Sequence, residues 1–277
     1  MQWILETIQV HVPFRLLTTE LLHTIVEERI NPEISFNYMD LENTSQTVFL
    51  DVAKRIAEAE LSVTFHAPFM DLRPGAIDPK IRQVTRDRLN QVFDLAPYFH
   101  PLTVVCHPSF DERYYISNKK IWLENSIEIW RYFLQKAEIM NTIITLENVY
   151  EADPLPLAQL LDSLETDRIR FCFDTGHFNV FSRSSLETWV KKLGPYLAQL
   201  HIHDNNGSAD EHSPMGAGSF PFAIFFDLLQ QQNLSPLITL EPHKIEDLWE
   251  TLQNTKMMDL LKRNSIGRQI YMRELPL

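Results

Sequence analysis

The stretch FCFDTGHFN, residues 171–179, begins as an apolar run, closes that run on an aspartate and places a histidine three residues further on. A run without polar alternation is the pattern of a strand buried on both faces, as in a parallel sheet covered by helices. An ionisable group at the tip of such a strand is costly to bury unless something pairs with it. Asp174 therefore has two readings. It caps the next helix by accepting free N–H groups, or it shares a site at the strand end with His177.

Working outward, short β-rich runs alternate with amphipathic stretches along the chain. The strands are expected at IQVHVPF (8–14), EISFNY (33–38), LSVTFHAPF (61–69), LTVVCHPSF (102–110), TIITLENVY (142–150), IRFCFDTG (169–176), LAQLHIHDN (197–205) and PLITLEP (236–242). Helix starts are expected at Thr18 or Thr19, at Asp78-Pro79, at Asn118 and at Ser184. About eight β-α units in a chain of 277 residues match a (β/α)8 TIM barrel. An open doubly wound sheet is the competing architecture. It lacks support, because no glycine-rich phosphate turn follows the first strand and the chain has 7 glycines. No repeat, low-complexity tract or Pro/Gly linker divides the sequence, so residues 1–277 are expected to form a single barrel domain.

Composition removes other classes. No apolar run reaches the roughly 18 residues needed to span a bilayer. The opening MQWILETIQV has no basic segment leading into a long apolar one, so a soluble, cytoplasmic protein is expected. The net charge of -12 disfavours nucleic acid as a partner, because phosphate binding is gathered by Lys and Arg. Cys106 and Cys172 lie inside apolar runs and read as reduced core thiols.

Barrel chemistry collects at the C-terminal ends of the strands. His66, His107, Glu147, Asp174, His201 and Glu241 occupy six successive tips, and the following loops add His177, Asp210 and His212. An isolated histidine is more often a hydrogen-bonded structural residue, and His11, His23, His100 and His243 are read that way. Six successive tips are different, since several carboxylates in one buried mouth repel one another unless cations neutralise them. Mixed imidazole and carboxylate ligands suit zinc, manganese, cobalt or iron better than calcium or magnesium. The set would hold one to three divalent ions per chain.

The ordered motifs HAPF, VVCHPS, TLENV, FDTGHF, LHIHDN, DEHSPMGAGSF and TLEP resemble the xylose isomerase-like TIM-barrel superfamily. That superfamily includes sugar phosphate isomerases and epimerases as well as apurinic endonucleases of the endonuclease IV type. Its endonuclease branch implies a first metal on His66 and His107 with Glu147 bridging, and a second completed by Asp174, His201 and Glu241. A third would lie on His177, Asp210 and His212. The isomerase branch implies one metal on Glu147, Asp174, His201 and Glu241, with His177 contacting substrate. In place of the substrate-binding Arg that ketose epimerases carry after His201, this chain has Asp210-x-His212 and the GAG of residues 216–218.

Two mechanisms use these residues. In isomerisation or epimerisation of a sugar or sugar phosphate, a cation acidifies a C–H beside a carbonyl and an enediolate forms. Glu147 or Glu241 removes that proton and the opposite carboxylate returns it. Phe69 would cap the substrate, and Arg73 and Arg113 leave the same face with charge for a phosphate. In phosphodiester hydrolysis, several zinc ions would hold a bridging hydroxide oriented by Glu147. The acidic charge and the early loop MDLENTS favour a small-molecule carbohydrate substrate. A non-catalytic, metal-containing sugar-binding module is the third reading.

Overall fold

The computed structural model describes residues 5–242 and 244–265, which alternate between strand and helix from one end to the other. Eight strands close into one barrel in sequence order. They are β1 (Gln9–Pro13), β2 (Asn31–Ser35), β3 (Thr64–His66), β4 (Thr103–Cys106), β5 (Ile143–Glu147), β6 (Ile169–Asp174), β7 (Leu197–Ile202) and β8 (Leu237–Leu240). Every neighbouring pair is parallel, and β1 pairs with β8 to close the ring. The TIM-barrel expectation is met. Each strand is shorter than its expected run, and β2 begins two residues ahead of its own, at Asn31.

The helices cover the barrel with their apolar faces. Helix Lys119–Ile139 turns Trp122, Ser126, Ile129, Trp130, Phe133 and Ala137 inward, the three-to-four spacing of one helix face. Trp189 and the rings of Phe65, Phe93, Phe133, Phe171, Phe173 and Phe225 are also fully buried. Of the expected helix starts, Asp78 caps as read, its Oδ1 accepting Lys80 N at 2.8 Å with Pro79 next. The others differ. The helical segment that follows β1 begins directly at Phe14, and the hydroxyls of Thr18 and Thr19 both bond back to the carbonyl of Arg15. Ser185 rather than Ser184 caps Leu186–Leu193, and Asn118 precedes its helix without a side-chain cap.

The barrel interior is partly polar. Below the strand tips lie Glu33, Thr64, Thr103, Thr145, Gln199 and Thr239, all buried. Gln199 Oε1 accepts from Thr103 Oγ1 at 2.6 Å and Thr145 Oγ1 at 3.3 Å, while its Nε2 donates to Glu33 at 2.5 Å and to Thr239 at 3.0 Å. This layer forms the floor of the site above it. Cys106 and Cys172 are buried free thiols, as their apolar surroundings imply.

Candidate metal centre

The ring closes with the expected side chains at one mouth. His66, Glu147 and Asp174 end their strands, His107 and Glu241 lie one residue past theirs, and His201 precedes the last residue of β7. His66 Nε2 and His107 Nε2 stand 3.2 and 3.1 Å from Glu147 Oε2. On the other side of that carboxylate, His201 Nδ1 lies 3.4 Å from Glu147 Oε1 and 3.0 Å from Glu241 Oε1. It is 3.9 Å from Asp174 Oδ2. Glu147 thus stands between two groups of donors.

Asp174 caps the helix that follows its strand and also lies among the candidate ligands. Its Oδ1 accepts the N–H of His177 at 2.6 Å and so caps Thr175–Phe181. The same carboxylate is 3.0 Å from His203 Nε2 and takes part in two candidate ligand groups. Asn148 braces it through paired bonds to the backbone of residue 174, at 2.9 and 3.0 Å.

A further group forms over the loop that follows β7. His177 Nε2 and His212 Nε2 both approach Asp210 Oδ2, at 3.3 and 3.2 Å. The loop is held by buried Asp204, whose carboxylate accepts the N–H groups of Asn205, Gly216, Gly218 and Phe220 at 2.9, 3.1, 2.9 and 3.1 Å. Gly218 is required there, since a Cβ would stand 2.3 Å from Asn205 O. The GAG segment is therefore a backbone clamp that brings Asp210 and His212 over the mouth.

The donor set fits divalent cations. His66, His177 and His212 each turn Nδ1 to a backbone carbonyl, of Ala67, Asn148 and Glu241, at 2.9, 3.0 and 3.3 Å. In each ring this leaves Nε2 aimed at a carboxylate, the arrangement that presents a lone pair to a metal. His107 Nε2 and both ring nitrogens of His201 are buried without a hydrogen bond of good geometry, although carboxylates lie within 3.4 Å. Ligand atoms of His66, His107 and Glu147, of Glu147, Asp174 and His201, and of His177, His203, Asp210 and His212 lie within 4.8 Å of one another in each group.

Electrostatics agree with that geometry. Burial opposes ionising Glu147 and Glu241, yet the neighbouring imidazoles, His201 foremost, hold both carboxyls well below the usual range. Burial likewise opposes charge on His177, but Asp174, Asp210 and Glu147 raise it well above the ordinary imidazole value. His212 is carried up to about 9, against its burial, by Asp210 and Glu241. Protonated rings thus supply the positive charge that these acids need, a role a bound cation would take over.

Phe69 covers this cluster, its ring stacked 4.5 Å from His107 and edge-on to His66 at 5.5 Å, with 44 % of its surface exposed. The Arg73 guanidinium lies 4.2 Å over the exposed ring of Tyr114. Arg113 is taken up by Asp111, with Nε 3.0 Å from Oδ1 and Nη2 2.7 Å from Oδ2.

Two residues absent from the expected set join the site. His203 stacks on His212, with ring centroids 3.8 Å apart and planes 1° from parallel. Its signal is present in LHIHDN, since a residue two past His201 points to the same face of a strand. Glu33 approaches His201 from below at 3.0 Å, and nothing local in EISFNY marks it. Among the histidines read as structural, His11 lies 5.9 Å from the His66 ring, and burial pushes its imidazole down to about 4. His23 pairs with Glu27 on the surface, His100 is exposed, and His243 lies outside the described residues.

The family model described as xylose isomerase-like TIM barrel matches residues 31–259. An uncharacterized protein of Methanocaldococcus jannaschii, MJ1614, is 28% identical over 238 residues, covering 84% of this chain and 90% of its own. The structure of a D-tagatose 3-epimerase-like protein superposes with a TM-score of 0.75 at 21% identity, over 92% of this chain and 98% of the other. The protein TTHB071 of Thermus thermophilus, whose crystals were soaked with ZnCl2, also gives 0.75, at 22% identity over 92% and 97% of the two chains. L-ribulose 3-epimerase gives 0.68 at 18% identity over 96% of each.

Proposed function

Since the chain belongs to the xylose isomerase-like TIM-barrel family, we propose that it is a metal-dependent isomerase or epimerase of a sugar or sugar phosphate. The observation that carries this reading is the pair Glu147 and Glu241. They come from β5 and from the end of β8, yet both carboxylates converge on His201 Nδ1, at 3.4 and 3.0 Å. Two carboxylates reaching one point from different strands suit proton removal on one side of a carbon and return on the other.

Glu147, Asp174, His201 and Glu241 would hold the principal cation, which when bound polarises a carbonyl or hydroxyl oxygen and acidifies the neighbouring C–H. Glu147 or Glu241 would take that proton, and the opposite carboxyl, protonated at the start of the step, would deliver its own to the enediolate. His177 would donate to a substrate oxygen, and Phe69 would shield the mouth from water. To meet a phosphate, Arg73 would first have to turn from the Tyr114 ring and Arg113 to leave Asp111. Relatives of the same fold named as epimerases of tagatose type and of ribulose support a carbohydrate substrate. Zinc, manganese, cobalt or iron suits the donors, and the zinc-soaked relative favours zinc. Residues 1–277 would act as one domain, in a reducing cytoplasm that keeps both thiols free; among the described residues no helix is long and apolar enough to cross a membrane.

The test is solvent deuterium exchange. Metal-replete protein in D2O is offered aldoses, ketoses and their phosphates, and label should enter the carbon beside the carbonyl of at least one. Absence of exchange and of interconversion across the panel would overturn the reading.

A second reading is favoured by the His177, Asp210 and His212 group, which a single-metal isomerase does not need. It makes the site a multi-zinc phosphodiester hydrolase. Two or three zinc ions per chain by elemental analysis, with cleavage of small phosphodiesters, would put it first.

A further inference from the structure

Glu33 is fully buried in β2, and it belongs to none of the candidate ligand groups among the described residues. Its Oε2 accepts three hydrogen bonds, from Thr64 Oγ1 at 3.0 Å, Gln199 Nε2 at 2.5 Å and Thr239 Oγ1 at 3.1 Å. The direction of these bonds is locked. Gln199 spends its carbonyl on Thr103 and Thr145, so the end facing Glu33 is the NH2. Thr239 already accepts from that NH2 and has its own proton left for Glu33.

The other oxygen, Oε1, has no hydrogen-bond partner and stands 3.0 Å from His201 Nε2, which has none either. Across the same ring, Nδ1 faces Glu241 and Glu147. The Cys172 thiol also neighbours the ring, and burial pushes it up, so it remains a weak S–H partner. A metal-bound imidazole carries its proton on the nitrogen away from the metal, and a carboxylate behind that nitrogen fixes the ring.

We propose that Glu33 is a positioning residue that holds the Nε2–H of His201 and thereby presents the Nδ1 lone pair to a cation in the Glu147, Asp174 and Glu241 group. This rests on the metal-dependent reading above. It also dictates what an amide would do. In Glu33→Gln the three donors require the amide oxygen at the Oε2 position, so the NH2 turns toward His201 Nε2. That nitrogen must then accept, the ring proton moves to Nδ1, and the ligand atom is blocked.

The first measurement is zinc affinity of the wild-type protein in competition with a chromophoric chelator; no binding overturns the metal reading and this inference with it. The second is the imidazole 15N spectrum of zinc-loaded, histidine-labelled protein, with His201 assigned by substitution. A proton on Nε2 and zinc on Nδ1 is the expected result, while zinc bound with the proton on Nδ1 overturns the role of Glu33 and leaves the metal reading standing. Glu33→Gln should weaken zinc binding about 10- to 100-fold, with circular dichroism confirming the fold, and unchanged affinity in the folded variant overturns the inference. The wild-type spectrum decides the matter even where the variant does not fold.

Discussion

A Cβ added to Gly176 would stand 1.9 Å from Cε1 of His203. Gly176 lies in the first turn of Thr175–Phe181, where alanine would ordinarily add helix stability, about 1 kcal/mol over glycine. The clash reverses that sign. His203 is wedged between Gly176, Asp174 and the stacked His212 ring, so it has no free direction in which to retreat. Gly176→Ala is expected to lower stability by about 1–3 kcal/mol and to reduce metal retention, read by denaturant unfolding and elemental analysis.

Glu147 faces donors on both sides, so its loss should be felt in both candidate ligand groups it belongs to. Glu147→Gln is expected to lower metal occupancy and to reduce deuterium exchange by about 10²- to 10⁴-fold, the usual weight of a general acid-base group. Glu241→Gln should resemble it in exchange but spare the His66 and His107 group. Equal occupancy in wild type and Glu147→Gln would contradict the bridging position.

Buried Glu151 accepts the N–H of Val149 at 2.6 Å, and its other oxygen has no partner. Burial pushes its carboxyl up to about 8 from an ordinary 4.5. The folded protein therefore holds a proton that the unfolded chain releases, and stability falls as pH rises through the window from 4.5 to about 8. Glu151→Gln keeps an acceptor for Val149 and removes the ionisation. The variant should match wild type near pH 4.5 and exceed it by about 2–5 kcal/mol above pH 8, measured by chemical denaturation across that range.

Asp204 holds its loop through four backbone N–H groups. An amide in its place offers one acceptor oxygen, and buried donors left unmatched cost about 1–3 kcal/mol each. Asp204→Asn is expected to open residues 205–219 to protease and to weaken metal binding at Asp210 and His212. The His66, His107 and Glu147 group should persist.

Chelation should destabilise the protein. With metal removed, repulsion among Glu147, Asp174 and Glu241 is relieved only by protonated imidazoles, so Tm should fall on adding EDTA and recover with zinc. An unchanged Tm would argue that these acids need no cation.

How far each feature can be read depends on the range of the forces that set it. Apolar runs ending at His66, Glu147 and Asp174 declare buried strands and their tips, because the two-residue alternation and the cost of burying charge are local rules. Eight such units in order are enough to infer the barrel. Helix starts expected at Thr18, Asn118 and Ser184 miss by a few residues or lack the cap, since several hydroxyl or amide side chains stand near each start and backbone geometry chooses among them. His203 is legible from its spacing to His201. Glu33 is not, because its partner His201 belongs to a distant strand, and only the staggered closure of β1 against β8 decides which interior side chains share a level. The same closure brings Asp174, already the local cap of its helix, beside His203 and Glu241. Sequence alone determined which residues end the strands of the barrel, and the tertiary structure decided which atoms of those residues face one another and which others, Glu33 and His203, join them.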